Sequence, residues 1–119
     1  NRAWKEKISG TAQKTGTAGH RFRTYREAIA EAKKPNVRSV HLDHGYNRGL
    51  DLAPKTIAPN RRPDVLSVAD DGTVVRIEVQ SKTDIPAELQ RRNAALDAQV
   101  RAEGFTPRPP IVVVPTRSQ

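Results

Sequence analysis

The segment Val74-Val75-Arg76-Ile77-Glu78-Val79-Gln80-Ser81-Lys82 carries the residues best suited to chemistry. Read as a strand, it sends Val75, Ile77 and Val79 to one face and Arg76, Glu78, Gln80 and Lys82 to the other. The first set is a core face. The second lines up an acid, an amide oxygen and an amine, with about 6 to 7 Å between successive members. A carboxylate and an amide carbonyl can ligate a hard divalent cation, and a lysine can stabilise charge on a phosphate. Such a row suits phosphodiester hydrolysis. A solvated strand face with a cross-strand ion pair would explain the charges, but not the whole arrangement.

A second carboxylate comes from Asp64. Asp64 to Ala69 reads as a strand joined to the first by Asp70-Asp71-Gly72, a three-residue hairpin loop with Gly72 in the left-handed conformation. Residue 69 then pairs with 73, and counting outward sets Asp64 opposite Glu78. Opposed residues share a face with Cβ atoms about 4.5 to 5.5 Å apart, close enough to share one cation. A loop one residue longer or shorter would turn Asp64 toward Val79 instead, so the site depends on one loop length.

The remaining elements must hold this hairpin. Residues 1 to about 20 mix Gly, Thr, Ala and Lys without periodicity and read as a basic tether, with the main domain from 21 to 119. Thr24 and Glu27 form a capping-box pattern, followed by Tyr25, Ala28, Ile29 and Ala32 at helical spacing, and Pro35-Asn36 stops that helix. A short strand spans about Arg38 to Leu42. Residues 43 to 62 hold turn signals around Leu50-Asp51-Leu52. Asp84 is placed to cap a second helix with Pro86 in its first turn, an apolar stripe of Leu89, Leu96 and Val100, and an end at Gly104. Ile111 to Val114 is an apolar run that suits a buried strand. The expected fold is α/β (α+β): a mixed sheet made of an antiparallel meander plus a final strand, flanked by helices.

Composition bounds the partners. Lys and Arg number 21 against 13 acids, a formal charge of +8 in 119 residues. That excess attracts polyanions, with nucleic acid first, an acidic protein second and a membrane surface third. Aromatic content of 4% is thin for stacking single-stranded bases, so recognition should rest on phosphates and shape. Arg61, Arg62, Arg91 and Arg92 are the candidate phosphate contacts. With no cysteine, disulfides, thiolate zinc sites and a cysteine nucleophile are excluded. No apolar run approaches ~18 residues, so no transmembrane helix is expected. The lack of methionine suggests a piece of something longer.

Arg62-Pro63-Asp64, followed by Glu78-Val79-Gln80-Ser81-Lys82, resembles the PD-(D/E)xK nuclease superfamily, and the order of elements over about residues 22 to 115 is similar to that family's. The resemblance implies Asp64 and Glu78 as metal ligands, Gln80 in the place where an acid is commonest, and Lys82 as the transition-state lysine. It also implies a divalent cation, Mg²⁺ first, with Zn²⁺ or Mn²⁺ as alternatives. The family often adds a glutamate from its first helix, for which Glu27 and Glu31 are the candidates, and Asp51 is a further carboxylate of the kind seen in related nucleases. In context the chain looks like the C-terminal toxin domain of contact-dependent growth inhibition (CdiA) proteins. That likeness implies a tRNA endonuclease, delivered by a secreted or cell-surface protein into a target cell's cytoplasm and blocked by a cognate, acidic immunity protein.

Three other readings compete. A DNase of the same architecture would differ only in substrate. His20, His41 and His44 allow a metal-independent RNase, which chelators would not inhibit. A non-catalytic nucleic-acid-binding module would show salt-dependent binding without product.

Overall fold

The computed structural model describes residues 3–116; residues 1–2 and 117–119, at the two ends of the expected tether and domain, lie outside the described residues. In chain order the elements are α1 (Ala3–Glu6), β1 (Ile8–Gly10), α2 (Ala18–Ala32), β2 (Val37–Leu42), α3 (Tyr46–Gly49), β3 (Val65–Ala69), β4 (Thr73–Val79), α4 (Pro86–Ala94), α5 (Asp97–Ala102), β5 (Thr106–Pro107) and β6 (Ile111–Val113). They form an α/β domain with a six-stranded mixed sheet, ordered β1-β2-β3-β4-β5, with β6 also on β4. The β2-β3-β4 meander is antiparallel, while β1 runs parallel to β2, and β5 and β6 run parallel to β4.

The hairpin register follows the sequence expectation. Val65 pairs with Ile77 and Val68 with Val74, which sets Asp64 against Glu78 one step further out. Gly72 makes this possible: at φ +88° it adopts the left-handed conformation, and its N–H closes the turn on Ala69 O at 2.9 Å.

Helices cover both sheet faces, and each face has its own core. Under α2 lie Ala28, Ala32, Val37, Val40, Leu42, Val65 and Ile77. Under α3, α4 and α5 lie Tyr46, Leu50, Ile57, Leu66, Val68, Val74, Leu96 and Val100. The even face of β4 is therefore not the open polar bench expected from alternation. Arg76 is fully buried there, its Nη1 on Asp97 Oδ1 at 2.6 Å and on Asn93 O at 3.0 Å, and its Nη2 on Arg108 O. A buried guanidinium persists only with such partners.

Other expectations need correction. The stretch read as a tether builds α1, β1 and the start of α2, because the open edge of β2 supplies ladder partners for Ile8 to Gly10. Thr17, not Thr24, is the α2 N-cap, its hydroxyl accepting from His20 N at 3.1 Å; Thr24 is buried mid-helix and donates to His20 O at 2.8 Å. Gly19 disguised that first turn, but a Cβ there would meet Thr116 O at 2.2 Å, so close packing requires the glycine. Asp84 does not cap α4; its Oδ2 accepts from Ser81 N instead. The expected second helix is broken into α4 and α5, where Asn93 O is taken by Leu96 N and by Arg76 rather than by a continuing helical ladder. The final strand is a half-covered edge strand with Ile111 exposed, not a buried one.

Candidate active site

Where β3 begins and β4 ends, the hairpin opens onto a cleft of about 420 Å³ lined by Asp64, Glu78, His20, Asn93, Arg61, Arg62, Arg92, Asn60, Gln13, Ser81, Asp84, Val79 and Leu89. Asp64 is buried, and its Oδ2 accepts a 2.7 Å hydrogen bond from Val79 N. Pro63 and Asp64 precede the strand, so the side chain takes a donor that the ladder would otherwise use. Glu78 sits across from Asp64 and accepts from Asn93 Nδ2 at 2.9 Å.

Asn93 has little freedom. Its Nδ2 also donates to Leu89 O at 3.0 Å, and its Oδ1 accepts from Tyr46 OH at 2.6 Å. Tyr46 OH in turn lies 3.4 Å from Arg76 Nη1. A buried polar chain thus runs from the Arg76–Asp97 ion pair to the Glu78 carboxyl. Buried networks of this kind fix side-chain orientation in a low-dielectric setting, here with Arg76 Nε left without a partner.

His20 occupies the first turn of α2 and is buried against the carboxylates. Its Nε2 lies 3.0 Å from Val79 O and 3.6 Å from Asp64 Oδ2. A carbonyl oxygen only accepts, so Nε2 carries the hydrogen.

The two carboxyls strain each other electrostatically. Burial pushes Glu78 up to about 7, and the neighbouring Asp64 charge adds to the rise, against the Asn93 hydrogen bond that lowers it. Burial also raises Asp64, while the Val79 amide and His20 pull it back. The pair therefore resists carrying two negative charges at once, a pattern produced by like charges sharing a dry site.

The donor chemistry fits a hard cation. Asp64, Glu78 and the Val79 carbonyl offer oxygen ligands, and a cation would relieve the repulsion of the pair. Among the described residues no group of three or more His, Asp or Glu side chains forms a metal cage.

The cleft does not gather every residue singled out in the sequence. It brings together Asp64, Glu78, Arg61, Arg62 and Arg92. Arg91 points elsewhere and pairs weakly with Glu88 at 3.9 Å. Strand β4 ends at Val79, so Gln80 and Lys82 do not continue its polar row. Gln80 N bonds Val113 O and its Nε2 reaches toward Asp84 O, while Lys82 is exposed in the following turn. Glu27 is tied to Arg23 at 2.8 Å. Glu31 is buried on the far side of the sheet, accepting from Ser67 Oγ at 2.8 Å and paired with Lys34. Asp51 lies in a separate depression with Arg38, His41 and Arg48. Helix α2 contributes His20 to the cleft, and neither Glu27 nor Glu31.

In the sequence His20 is only one of three scattered histidines, because the pattern places the start of α2 after it, and Asn93 is not singled out at all. Asn93 left a fainter trace, a polar residue inside the stripe formed by Leu89, Leu96 and Val100.

The chain matches no protein-family model, and neither a curated protein nor a solved structure shows detectable similarity to it.

Proposed function

We propose that this chain is a metal-dependent nuclease that hydrolyses RNA phosphodiesters, with tRNA as its substrate. The observation that carries the reading is the Asp64–Glu78 pair, Asp64 buried and Glu78 half-buried, in a cleft also lined by Arg61, Arg62 and Arg92. Asp64 and Glu78 would hold the cation. When bound, a divalent cation supplies Lewis-acid stabilisation of phosphate charge and lowers the pKa of water. Arg61, Arg62 and Arg92 bind and orient the phosphodiester, and Asn93 holds the Glu78 carboxyl toward the cleft. His20 fixes the Val79 carbonyl through Nε2–H and stands 3.6 Å from the Asp64 carboxylate.

The resemblance to contact-dependent growth inhibition toxins extends this proposal to the setting. The domain would be delivered by a larger secreted or surface protein, act in the target cytoplasm and meet an acidic immunity protein that covers the arginine rim. The same cleft would serve a DNase, so substrate class is a matter for assay. A second reading, a metal-independent RNase, is favoured by one observation, the burial of His20 against Asp64.

Incubation of the domain with total tRNA and with plasmid DNA, in Mg²⁺ and in EDTA, tests these readings. Discrete tRNA fragments that disappear in EDTA and in Asp64→Asn or Glu78→Gln are expected, with a loss of roughly a hundredfold or more. Cleavage that survives EDTA moves the chemistry to His20. Plasmid cleavage with intact tRNA replaces RNase by DNase, and no product from either substrate sinks the nuclease reading.

A further inference from the structure

Next to the cleft lies a second depression of about 270 Å³, and Asn60 and Arg62 line both. Its other charged walls are Arg48, Lys55 and Asp43. Asp43 is already engaged, its Oδ2 on Arg62 Nη2 at 3.2 Å. Arg48 and Lys55 are exposed, and among the described residues neither head group has an ion-pair or hydrogen-bond partner. The depression therefore presents two free cations beside a third that is only partly neutralised.

The local fold keeps these cations in place. Arg48 stands on α3, whose neighbour Asn47 ties down the 56–57 segment: its Oδ1 accepts from Thr56 N and Ile57 N, both at 3.0 Å. Lys55 directly precedes that anchored pair. Asn60 Oδ1 accepts from Asn47 N at 3.1 Å, and a Cβ at Gly45 would collide with the Asn60 amide at 2.6 Å. The wall between the two hollows is thus packed rather than loose. The positive field is visible at His44, which lines the depression: burial lowers its pKa, and Arg48 and Arg62 lower it further against the opposing pull of Asp43.

We propose that this depression is a second phosphate subsite, in which Arg48 and Lys55 hold the backbone of the polynucleotide whose scissile phosphate sits in the cleft. The inference rests on the nuclease reading of that cleft. A polyanion is the occupant that fits, because unpaired cations continue from the rim of the cleft across Arg62 without an intervening free acid. Phosphate contacts of this kind position a strand and carry no sequence preference.

The test is fluorescence anisotropy of labelled tRNA and of a labelled DNA duplex, in EDTA to prevent cleavage, between about 50 and 200 mM KCl. The variants are Arg48→Gln/Lys55→Gln and a charge-matched control, Arg26→Gln/Lys33→Gln. In the control, Lys33 lies about 20 Å along α2 from His20 at 1.5 Å per residue. The first pair is expected to weaken binding roughly tenfold at low salt and to flatten the log–log salt slope by about 1.4 to 1.8, the share of two phosphate contacts. The control should change the slope little. Wild-type slope in Arg48→Gln/Lys55→Gln, from a protein that still cuts in Mg²⁺, overturns the subsite alone and points to an acidic protein as the occupant. Equal losses in both pairs also overturn it, leaving only diffuse charge. Wild-type protein that binds neither probe overturns the subsite and the nuclease reading together.

Discussion

Asp64 and Glu78 face one another across the β3–β4 pair, one anchored by the Val79 amide at 2.7 Å and the other by the Asn93 side chain at 2.9 Å. Neither anchor neutralises charge, so the two carboxyls share a buried site that can comfortably hold only one negative charge. A cation, a proton or a substitution can each resolve that conflict, and each leads to a measurement.

Glu78 should make the protein less stable as pH rises. Its carboxyl moves from 4.5 in the ordinary case to about 7 in the fold, so between those values the folded state binds more protons than the unfolded one. Stability therefore falls through that window, and the penalty is fully present above it, on the order of 3 kcal/mol. Glu78→Gln should melt higher than the wild type near pH ~8 and almost equally at pH ~4. Thermal melts across pH check this, and an unchanged difference between the two proteins would contradict the raised carboxyl. Mg²⁺ should bind more tightly as pH rises through about 7, because the cation competes with the Glu78 proton.

Asn93 should act through Glu78. Its amide lowers the Glu78 carboxyl, so Asn93→Leu should push the midpoint of the pH dependence of cleavage to higher pH as well as reducing the rate. It also strands the Tyr46 hydroxyl, at a cost of about 1 to 3 kcal/mol in stability. Loss of stability with an unmoved pH midpoint would make Asn93 merely structural.

Lys82 and Arg92 separate two views of the cationic partner. Lys82 is exposed on the turn after β4, whereas Arg92 lines the cleft. Lys82→Ala should reduce cleavage less than tenfold, and Arg92→Ala should cost about tenfold or more, mainly in KM. The reverse order in steady-state kinetics would mean that the 80–85 turn delivers Lys82 to the substrate.

Arg76 and Asp97 should behave as a unit. Arg76 is fully buried on a 2.6 Å ion pair, so Arg76→Ala, leaving Asp97 and the Arg108 carbonyl without their donor, should cost about 3 to 5 kcal/mol. Arg76→Met with Asp97→Leu should recover much of that loss. Strict additivity of the two single changes in urea melts would show that the pair is not coupled.

Some of this molecule was legible without coordinates because it is local. The Asp70-Asp71-Gly72 loop and the two-residue period of a strand determine the β3–β4 register, and with it the meeting of Asp64 and Glu78. Helix existence and the Leu89, Leu96 and Val100 stripe followed from periodicity in the same way.

Only the tertiary structure decided which other residues reach the cleft. Whether α2 offers Glu27, Glu31 or His20 depends on where the helix starts and how it is rotated on the sheet, and packing against the sheet sets both. The fate of Lys82 turned on β4 leaving the ladder at Val79, where Gln80 N is taken by Val113 O from the far end of the chain. Alternation along one strand cannot reveal that its polar face will be roofed by α4 and α5, with Arg76 buried and Asn93 holding Glu78. Those contacts join residues 15 to 32 positions apart, and their geometry comes from the assembled layers rather than from any local pattern.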